Sequence, residues 1–303
     1  MGWIEMGFKS VDFKIILRQK GKMRPIRRSV LIKERKTQRV WVFITGFGQP
    51  AKTWQRFVKD IMPQQNDDTI IIIRRGGDGN SDGYTSYTTF SWQKREVAAI
   101  FQWILSNFSN KGKKIHLVGH SAGAALARHL AQSFPRDIAN IVQIAPLSSR
   151  HRTILWNMAF WLKGGLLGLL ASIFSLLFRP LAGFLIPAKS VAGLFNNGVP
   201  LPTDYLKSLI PEGVLAFFEI ALFYNGYELT IAYLKEWRGK TIIVYCPDDP
   251  LVPFAATMET AKMCFAKTPR GLPQGTPHCF FLATEELWKK IIPILQETIE
   301  KAA

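Results

Sequence analysis

The pentapeptide Gly-His-Ser-Ala-Gly at residues 119–123 constrains this chain more than any other stretch of its sequence. A mostly apolar run at residues 115–118 precedes it, and a run typical of a helix follows at residues 124–134. A strand, a sharp turn and a helix in this order form the context that holds a serine at the top of a sheet. Glycine tolerates the backbone angles of so tight a turn. The pattern predicts that Ser121 is a nucleophile that a base and a substrate can both reach. The alternative is a Gly-Ser turn without chemical consequence.

A serine hydroxyl is a weak nucleophile, so it needs a histidine base that a carboxylate orients. Where this turn carries the serine, the acid and then the histidine follow it along the chain. Four of the five histidines lie in or near the pentapeptide, or before any plausible acid loop: His116, His120, His129 and His151. The fifth is His278, in a Gly- and Pro-rich loop before a helix-like stretch at residues 284–301. We therefore predict that His278 is the base rather than an ordinary surface histidine.

The acid is expected just after a strand that lies between the serine and the histidine. Residues 241–246 form a β-branched run, and Asp248 and Asp249 follow it. One of them would accept the imidazole N–H and stabilise the imidazolium. Both could instead be turn residues, because Asp and Pro are common in turns. The preceding strand-like run, at residues 141–145, ends without an acid.

These motifs, in this order, resemble the α/β-hydrolase superfamily over roughly residues 27–146 and 239–300. The resemblance implies an α/β fold, in which a mostly parallel twisted sheet carries helices on both faces and a helical cap. In that family the acid loop commonly reads Asp-x-apolar-Val-Pro, which matches residues 249–253. The resemblance therefore implies Asp249, rather than Asp248, as the acid.

Acyl transfer also needs backbone N–H groups that receive the negative charge of the carbonyl oxygen. One donor is expected from Ala122, directly after the nucleophile. The resemblance implies Phe47 as the other donor, because residues 45–49 look like the family's His-Gly-x-Gly segment. Thr45 replaces the usual histidine, so we expect different side chains to support this loop.

A second loop, Gly-x-Gly-x-Ser at residues 77–81, is similar to a turn of the same superfamily. The acidic residue that usually comes shortly before it is absent, and Arg74 and Arg75 stand there. As a phosphate-binding loop the segment lacks the required spacing.

A length of 303 residues allows one large α/β domain with a cap. The three cysteines, Cys246, Cys264 and Cys279, have neither metal-site nor disulfide spacing, and no metal or organic cofactor is expected. The first thirty residues contain no apolar secretory segment. These features indicate a cytoplasmic protein.

The charge is strongly positive, +17 overall, and it is concentrated at the start of the chain. Residues 1–40 contain twelve Lys and Arg against three acidic residues, and they alternate like a hairpin with strands at 14–18 and 28–33. The cations could protect a sheet edge or attract an anionic surface. No nucleic-acid motif accompanies them, so nucleic acid is not expected. We therefore predict peripheral contact with an anionic membrane.

Residues 147–238 separate two predicted sheet strands and form an expected cap that is unusually apolar, above all at 154–162 and 164–178. A single membrane crossing there would separate Ser121 from Asp249 and His278, so the triad could not assemble. The cap therefore either lies in or dips into a membrane interface, or packs on the core and lines an acyl pocket. Both alternatives imply an apolar substrate.

The sequence thus predicts a catalytic core at residues 1–146 and 239–303, with the cap at 147–238 between them. The expected reaction is hydrolysis of a lipid-like ester through an acyl-enzyme. A thioesterase or amidase could use the same triad. A non-catalytic protein that binds lipid or protein would be a third alternative, because a fold alone does not determine function.

Overall fold

The computed structural model describes residues 2–19, 21–35, 39–62, 67–84, 88–108, 114–147, 202–209, 237, 239–249, 251–266 and 268–303. Most of the predicted cap, residues 147–238, lies outside these ranges. The domain boundary and both interpretations of the cap's apolar stretches therefore stay predictions.

An eight-stranded sheet organises the described residues, with strand order β1-β2-β4-β3-β5-β6-β7-β8. The strands are β1 Lys9–Gln19, β2 Lys22–Lys33, β3 Arg39–Ile44, β4 Thr69–Arg74, β5 Lys114–His120, β6 Ile138–Ile144, β7 Thr241–Tyr245 and β8 Arg270–Gly271. All neighbours from β4 to β8 are parallel, whereas β2 is antiparallel to both β1 and β4. The predicted mostly parallel sheet and its N-terminal hairpin are confirmed.

Helices cover both faces of the sheet. They are α1 Gln55–Ile61, α2 Phe90–Phe108, α3 Ala122–Ser133, α4 Thr203–Ser208, α5 Phe254–Met263 and α6 Glu285–Ala302. Apolar side chains of α2 and α3 belong to one core, and those of α1 and α6 belong to the other. Within the described ranges, no helix combines the length and the apolar character that a bilayer crossing needs.

The central strands are apolar on both sides because they separate these two cores. In β3, Trp41 and Phe43 point into the core of α1 and α6, whereas Val40, Val42 and Ile44 point into the core of α2 and α3. All five side chains are fully buried. Continuous apolar runs are typical of parallel strands that are covered on both faces. This arrangement places the carboxyl ends of β3, β5, β6 and β7 at one edge of the sheet.

The described parts of the insertion rest on the same cores. Leu147 and Trp237, at its two ends, are both buried in the core of α2 and α3. Tyr205, in α4, is buried in the other core, where its ring lies 5.6 Å from that of Phe281. One short helix of the insertion thus packs directly beside the loop that contains His278.

Candidate active site

Ser121 lies in the sharp turn between β5 and α3, in a conformation that non-glycine residues rarely adopt. Its backbone angles are φ 53° and ψ −121°. Such strain costs on the order of 1–3 kcal/mol and persists only where surrounding contacts hold it. Here the Ser121 N–H donates to the carbonyl of Ile144 at 3.0 Å, and the Ser121 carbonyl accepts from the N–H groups of Ala124 and Leu147. Backbone bonds to β6 and to the chain beyond it thus hold the turn.

The two glycines of the pentapeptide allow this turn to pack against neighbouring backbone. A β-carbon at Gly119 would lie 2.5 Å from the carbonyl oxygen of Gly123. A β-carbon at Gly123 would lie 2.3 Å from the carbonyl oxygen of Ile44, at the end of β3. Backbone atoms cannot swing aside as a flexible side chain would. The glycines therefore hold Ser121 close to the loop that follows β3.

The predicted acid and base are in direct contact. The Nδ1 atom of His278 lies 2.6 Å from Oδ2 of Asp249, and both residues are buried. The other carboxylate oxygen of Asp249 accepts the backbone N–H groups of Leu251 and Val252 at 2.8 and 3.0 Å. Asp248, by contrast, is exposed and accepts the N–H of Gly275. The geometry favours Asp249 over Asp248 as the partner of the histidine.

The loop that contains His278 lies against the turn that contains Ser121. The Nε2 atom of His120, the residue next to Ser121, is 2.9 Å from the carbonyl oxygen of His278, and the two rings are 4.9 Å apart. His120 is buried, and its burial together with the nearby His278 lowers the pKa of His120 well below its ordinary value. A neutral His120 therefore joins the two loops.

One predicted oxyanion donor, Ala122, directly follows Ser121, and the other, Phe47, lies in a turn next to it. Ala122 is the first residue of α3, and the first N–H groups of a helix have no acceptor within it. Phe47 lies in a turn at residues 46–49, between β3 and a short 3-10 helix at Ala51–Trp54. A β-carbon at Gly46 would lie 3.1 Å from the β-carbon of Ser121, so the turn at residues 46–49, which we call the oxyanion turn after its predicted role, lies against Ser121.

Two buried side chains, Gln49 and Arg75, support the oxyanion turn, and the sequence did not single out either of them for this role. Gln49 Oε1 accepts the N–H of Gly46 at 2.9 Å and lies 2.9 Å from Nδ1 of His120. Arg75 donates from Nη1 to the carbonyl oxygen of Gly46, also at 2.9 Å. Thr45 occupies the position of the family's histidine and is buried. The one sequence feature that could have pointed to this support is the pair Arg74 and Arg75, which stands where the family usually has an acidic residue.

The Gly-x-Gly-x-Ser loop at residues 77–81 contacts two segments near the oxyanion turn. Asp78 accepts the N–H of Ala51, at the start of the 3-10 helix, at 2.6 Å. Ser81 accepts the N–H of Ser29 in β2 at 3.0 Å. Burial raises the pKa of Asp78, and the bond from Ala51 opposes that shift. The loop therefore ties the hairpin to the segment that follows the oxyanion turn.

Cys279 is next to His278 but is a poor nucleophile. Burial, reinforced by the nearby Asp249 carboxylate, raises the pKa of its thiol far above the ordinary value. A nucleophilic cysteine needs the opposite shift, because the thiolate is the reactive form. Ser121 is accordingly the better candidate at this site.

The family comparison gives a match over most of the chain. The model of the alpha/beta hydrolase family matches residues 41–289. No curated protein sequence matches the chain.

Solved structures share its fold at low sequence identity. A candidate lipase from Acinetobacter baumannii AYE is 17% identical with a TM-score of 0.65, over 99% of this chain and 97% of that one. A soluble variant of monoglyceride lipase from Saccharomyces cerevisiae is 16% identical with a TM-score of 0.64, over 95% and 94%. Homoserine O-acetyltransferase from Staphylococcus aureus is 14% identical with a TM-score of 0.61, over 96% and 94%. These likenesses confirm the predicted fold.

Proposed function

The chain belongs to the α/β-hydrolase family, and from that premise we propose that it is a serine hydrolase that cleaves carboxylic esters with an apolar, lipid-like acyl group. The observation that carries the proposal is the buried contact of 2.6 Å between His278 Nδ1 and Asp249, beside a strained serine turn. A carboxylate at Nδ1 sets the tautomer that leaves Nε2 able to accept a proton.

In the proposed reaction, Ser121 Oγ attacks the carbonyl carbon of the ester, and His278 takes the hydroxyl proton. The carbonyl oxygen becomes an oxyanion that the N–H groups of Phe47 and Ala122 bind. When the tetrahedral intermediate collapses, the C–O bond to the alcohol breaks and His278 returns the proton to the leaving alkoxide. Asp249 stabilises the imidazolium that forms between these two transfers.

The acyl-enzyme is then hydrolysed by the same groups. Water attacks the acyl carbon while His278 accepts one of its protons, and the second intermediate releases the carboxylic acid and restores the Ser121 hydroxyl. An acceptor alcohol in place of water would give acyl transfer, and one structural neighbour is named as an acetyltransferase. We favour hydrolysis of an apolar ester because the predicted cap is rich in apolar residues. Two neighbours are also named as lipases, one of them as a candidate.

Initial rates on a p-nitrophenyl ester series, from acetyl to palmitoyl, test this proposal. We expect hydrolysis by the wild type, with kcat/KM rising from the acetyl ester to longer acyl chains. Ser121→Ala should abolish turnover while the far-UV spectrum and the unfolding midpoint stay those of the wild type. A folded wild type that hydrolyses no member of the series, nor the matching thioester or anilide, would favour the non-catalytic binder.

The proposal includes contact with an anionic membrane, supported by one face of the hairpin. We call it the outer hairpin face, and it is formed by Lys14, Ile16, Arg18 and their cross-strand partners Arg27, Pro25 and Met23. All six residues are exposed. Ile16 and Met23 are 65% and 62% exposed, unusually high for large apolar residues. Cations at the edge of a sheet deter strand pairing, but that role does not explain two exposed apolar side chains between them.

Cations around a few apolar side chains suit the surface of an anionic bilayer, where charge attracts the protein and apolar groups enter the interface. Flotation with vesicles of phosphatidylglycerol and phosphatidylcholine tests this contact. Binding should require the anionic lipid and weaken as salt rises. Lys14→Glu combined with Arg18→Glu should abolish it, whereas Lys59→Glu combined with Lys289→Glu makes the same charge change elsewhere. Equal loss in both double variants would contradict a specific role for the outer hairpin face.

A further inference from the structure

The carbonyl end of one peptide group in the proposed oxyanion hole is bound by a buried cation. This peptide joins Gly46 to Phe47, and its N–H is one of the two proposed donors. The carbonyl oxygen of Gly46 accepts a bond from Arg75 Nη1 at 2.9 Å, and Arg75 is only 2% exposed. The described residues contain no cis peptide bond, so the carbonyl and the N–H of this peptide point in opposite directions. A group that holds the carbonyl therefore directs the N–H.

We infer that Arg75 is a positioning residue for the oxyanion hole, one that acts on the transition state through the peptide of Gly46 and Phe47. The inference rests on the proposed function, because it assigns Arg75 a role in stabilising the oxyanion formed from Ser121. Arg75 itself contacts the back of the peptide, away from the N–H end. It therefore contributes to catalysis without touching the substrate.

The geometry of the turn at residues 46–49 directs the Phe47 N–H in the same way as the bond from Arg75. The N–H of Gln49 donates to the carbonyl of Gly46 at 3.3 Å, which closes a four-residue turn. Gly48, the third residue of that turn, has a φ of 67°, as a type II turn requires. In such a turn the first carbonyl points inward, so the N–H of Phe47 points outward. Arg75 and the Gln49 N–H thus bind the same inward-pointing oxygen.

The opposite side of Gly46 is held as well. Its N–H donates to Oε1 of Gln49 at 2.9 Å, and the same oxygen lies 2.9 Å from Nδ1 of His120. Gly46 is also the residue whose α-carbon abuts Ser121, since a β-carbon there would lie 3.1 Å from that of the serine. Both polar groups of this glycine are therefore bound by buried side chains. Rotation of the peptide between Gly46 and Phe47 would move its carbonyl oxygen away from Arg75 and so weaken that bond.

The charge of Arg75 adds to the effect of its position. Its guanidinium stays protonated in proteins, and a bond from a charged donor polarises the carbonyl that accepts it. Polarisation of the carbonyl leaves the N–H of the same amide more positive. Because the site is buried, screening by water is weak and the interaction is stronger than at a surface. The Phe47 N–H should therefore be a stronger donor to an oxyanion than an ordinary amide.

The sheet and a buried polar network hold Arg75 at this place. Arg75 directly follows β4, which is the parallel neighbour of β3, and the oxyanion turn follows β3. Its guanidinium lies 5.6 Å from the centre of the Tyr84 ring. The Tyr84 hydroxyl donates to Glu96 at 2.6 Å, and Glu96 also forms a buried ion pair with Arg28. These contacts orient the guanidinium before any substrate binds.

Steady-state kinetics of Arg75→Met, Arg75→Lys and the matched control Arg74→Met test the inference. Arg74 is the neighbouring residue and donates to Ser10 at the surface. We expect kcat of R75M to fall about 10- to 100-fold, because misplacing or losing an oxyanion donor costs on the order of 10²–10³, while KM stays within about threefold. R75K should recover part of kcat because it restores the charge. R74M should stay within about twofold of the wild type.

An alkyl boronic acid gives a readout that a purely structural role would not move, because its tetrahedral adduct with the serine places an oxygen in the hole. Its affinity should fall in R75M by the same factor as kcat. If R75M does not fold, Arg75→Gln removes the charge with less loss of polarity and takes its place. A folded variant with unchanged kcat, or one whose loss is confined to KM, would overturn the inference. A wild type without esterase activity would instead overturn the proposed function and the inference with it.

Discussion

The serine turn and the oxyanion turn lie side by side, and they are stabilised in different ways. The serine turn depends on backbone: glycines at 119 and 123 allow β3, β5 and α3 to meet, and backbone bonds hold the strained residue. The oxyanion turn depends on buried side chains, Gln49 and Arg75, that hold both polar groups of Gly46. The turn that backbone contacts stabilise depends on small residues at a few positions that are close together in the sequence. The turn that side chains stabilise depends in addition on Arg75, which is 29 positions from Gly46 in the sequence.

The largest effect on activity and stability is expected in the serine turn, from Gly123→Ala. The new β-carbon would lie 2.3 Å from the carbonyl of Ile44 and 2.5 Å from that of Thr45. Because neither backbone atom can move aside, we expect loss of activity together with destabilisation of about 3 kcal/mol or more. Thermal unfolding and ester hydrolysis measure both.

Gly83→Ala is the control for that variant, since a β-carbon at Gly83 meets no atom within 4 Å. It should leave the unfolding midpoint and the activity near those of the wild type. A well-folded, active Gly123→Ala protein would show that the close packing around the serine turn is not required.

The next largest effect is expected from Asp249→Asn. The amide would keep the size of the side chain but lose the charge that stabilises the imidazolium, so kcat should fall on the order of 10³–10⁴. Asp248→Asn changes the exposed neighbour, which accepts the N–H of Gly275, and kcat should stay within about threefold. The comparison requires folded variants, as judged by circular dichroism. A larger loss in Asp248→Asn would assign the acid to the other aspartate.

A smaller effect is expected from Gln49→Leu, which changes a side chain that supports the oxyanion turn. The leucine would leave the N–H of Gly46 without its buried acceptor, which costs about 1–3 kcal/mol of stability. We also expect kcat to fall about tenfold as the oxyanion turn loosens. A double variant with R75M measures the coupling, because both side chains act on Gly46 and their effects should not add. Strict additivity would mean that the two contacts support separate elements.

The smallest effect is on the pH dependence of stability, through His120. Its pKa is lowered in the folded protein by burial and by the nearby His278, so below an ordinary pKa of about 6.5 the unfolded chain binds a proton that the folded protein does not. Stability should therefore fall with decreasing pH, by about 1 kcal/mol from this residue between pH 7 and 5.5. Denaturant unfolding of the wild type and His120→Gln should show that difference in slope. Parallel pH profiles would contradict it.

The serine turn and the sheet were predictable because their signals are local. The pentapeptide at 119–123 lies within one strand, turn and helix, and the runs at 115–118, 141–145 and 241–246 identified β5, β6 and β7 to within a few residues. The hairpin strands, Lys9–Gln19 and Lys22–Lys33, are longer than the runs 14–18 and 28–33 predicted from alternation. Cross-strand pairing extends both strands beyond those runs, from the pair Lys9 and Ile32 to the pair Gln19 and Lys22.

The support of the oxyanion turn could not be predicted from the sequence, for a physical reason. Gly46 is held by Arg75, 29 positions away, and His120 meets the carbonyl of His278 across 158 positions. Such contacts arise where the ends of neighbouring parallel strands come together, and no local spacing encodes them. The choice of Asp249 over Asp248 likewise needed the resemblance to a family loop, because both aspartates follow the same strand.

Reaction with a fluorophosphonate probe, followed by peptide mass spectrometry, tests the central claim most directly. An activated serine beside a base and an oxyanion hole should form one covalent adduct, on the peptide that contains Ser121. Ser121→Ala should form none, and Asp249→Asn should react far more slowly. A folded wild-type protein that forms no adduct, or forms it on another residue, would contradict the account.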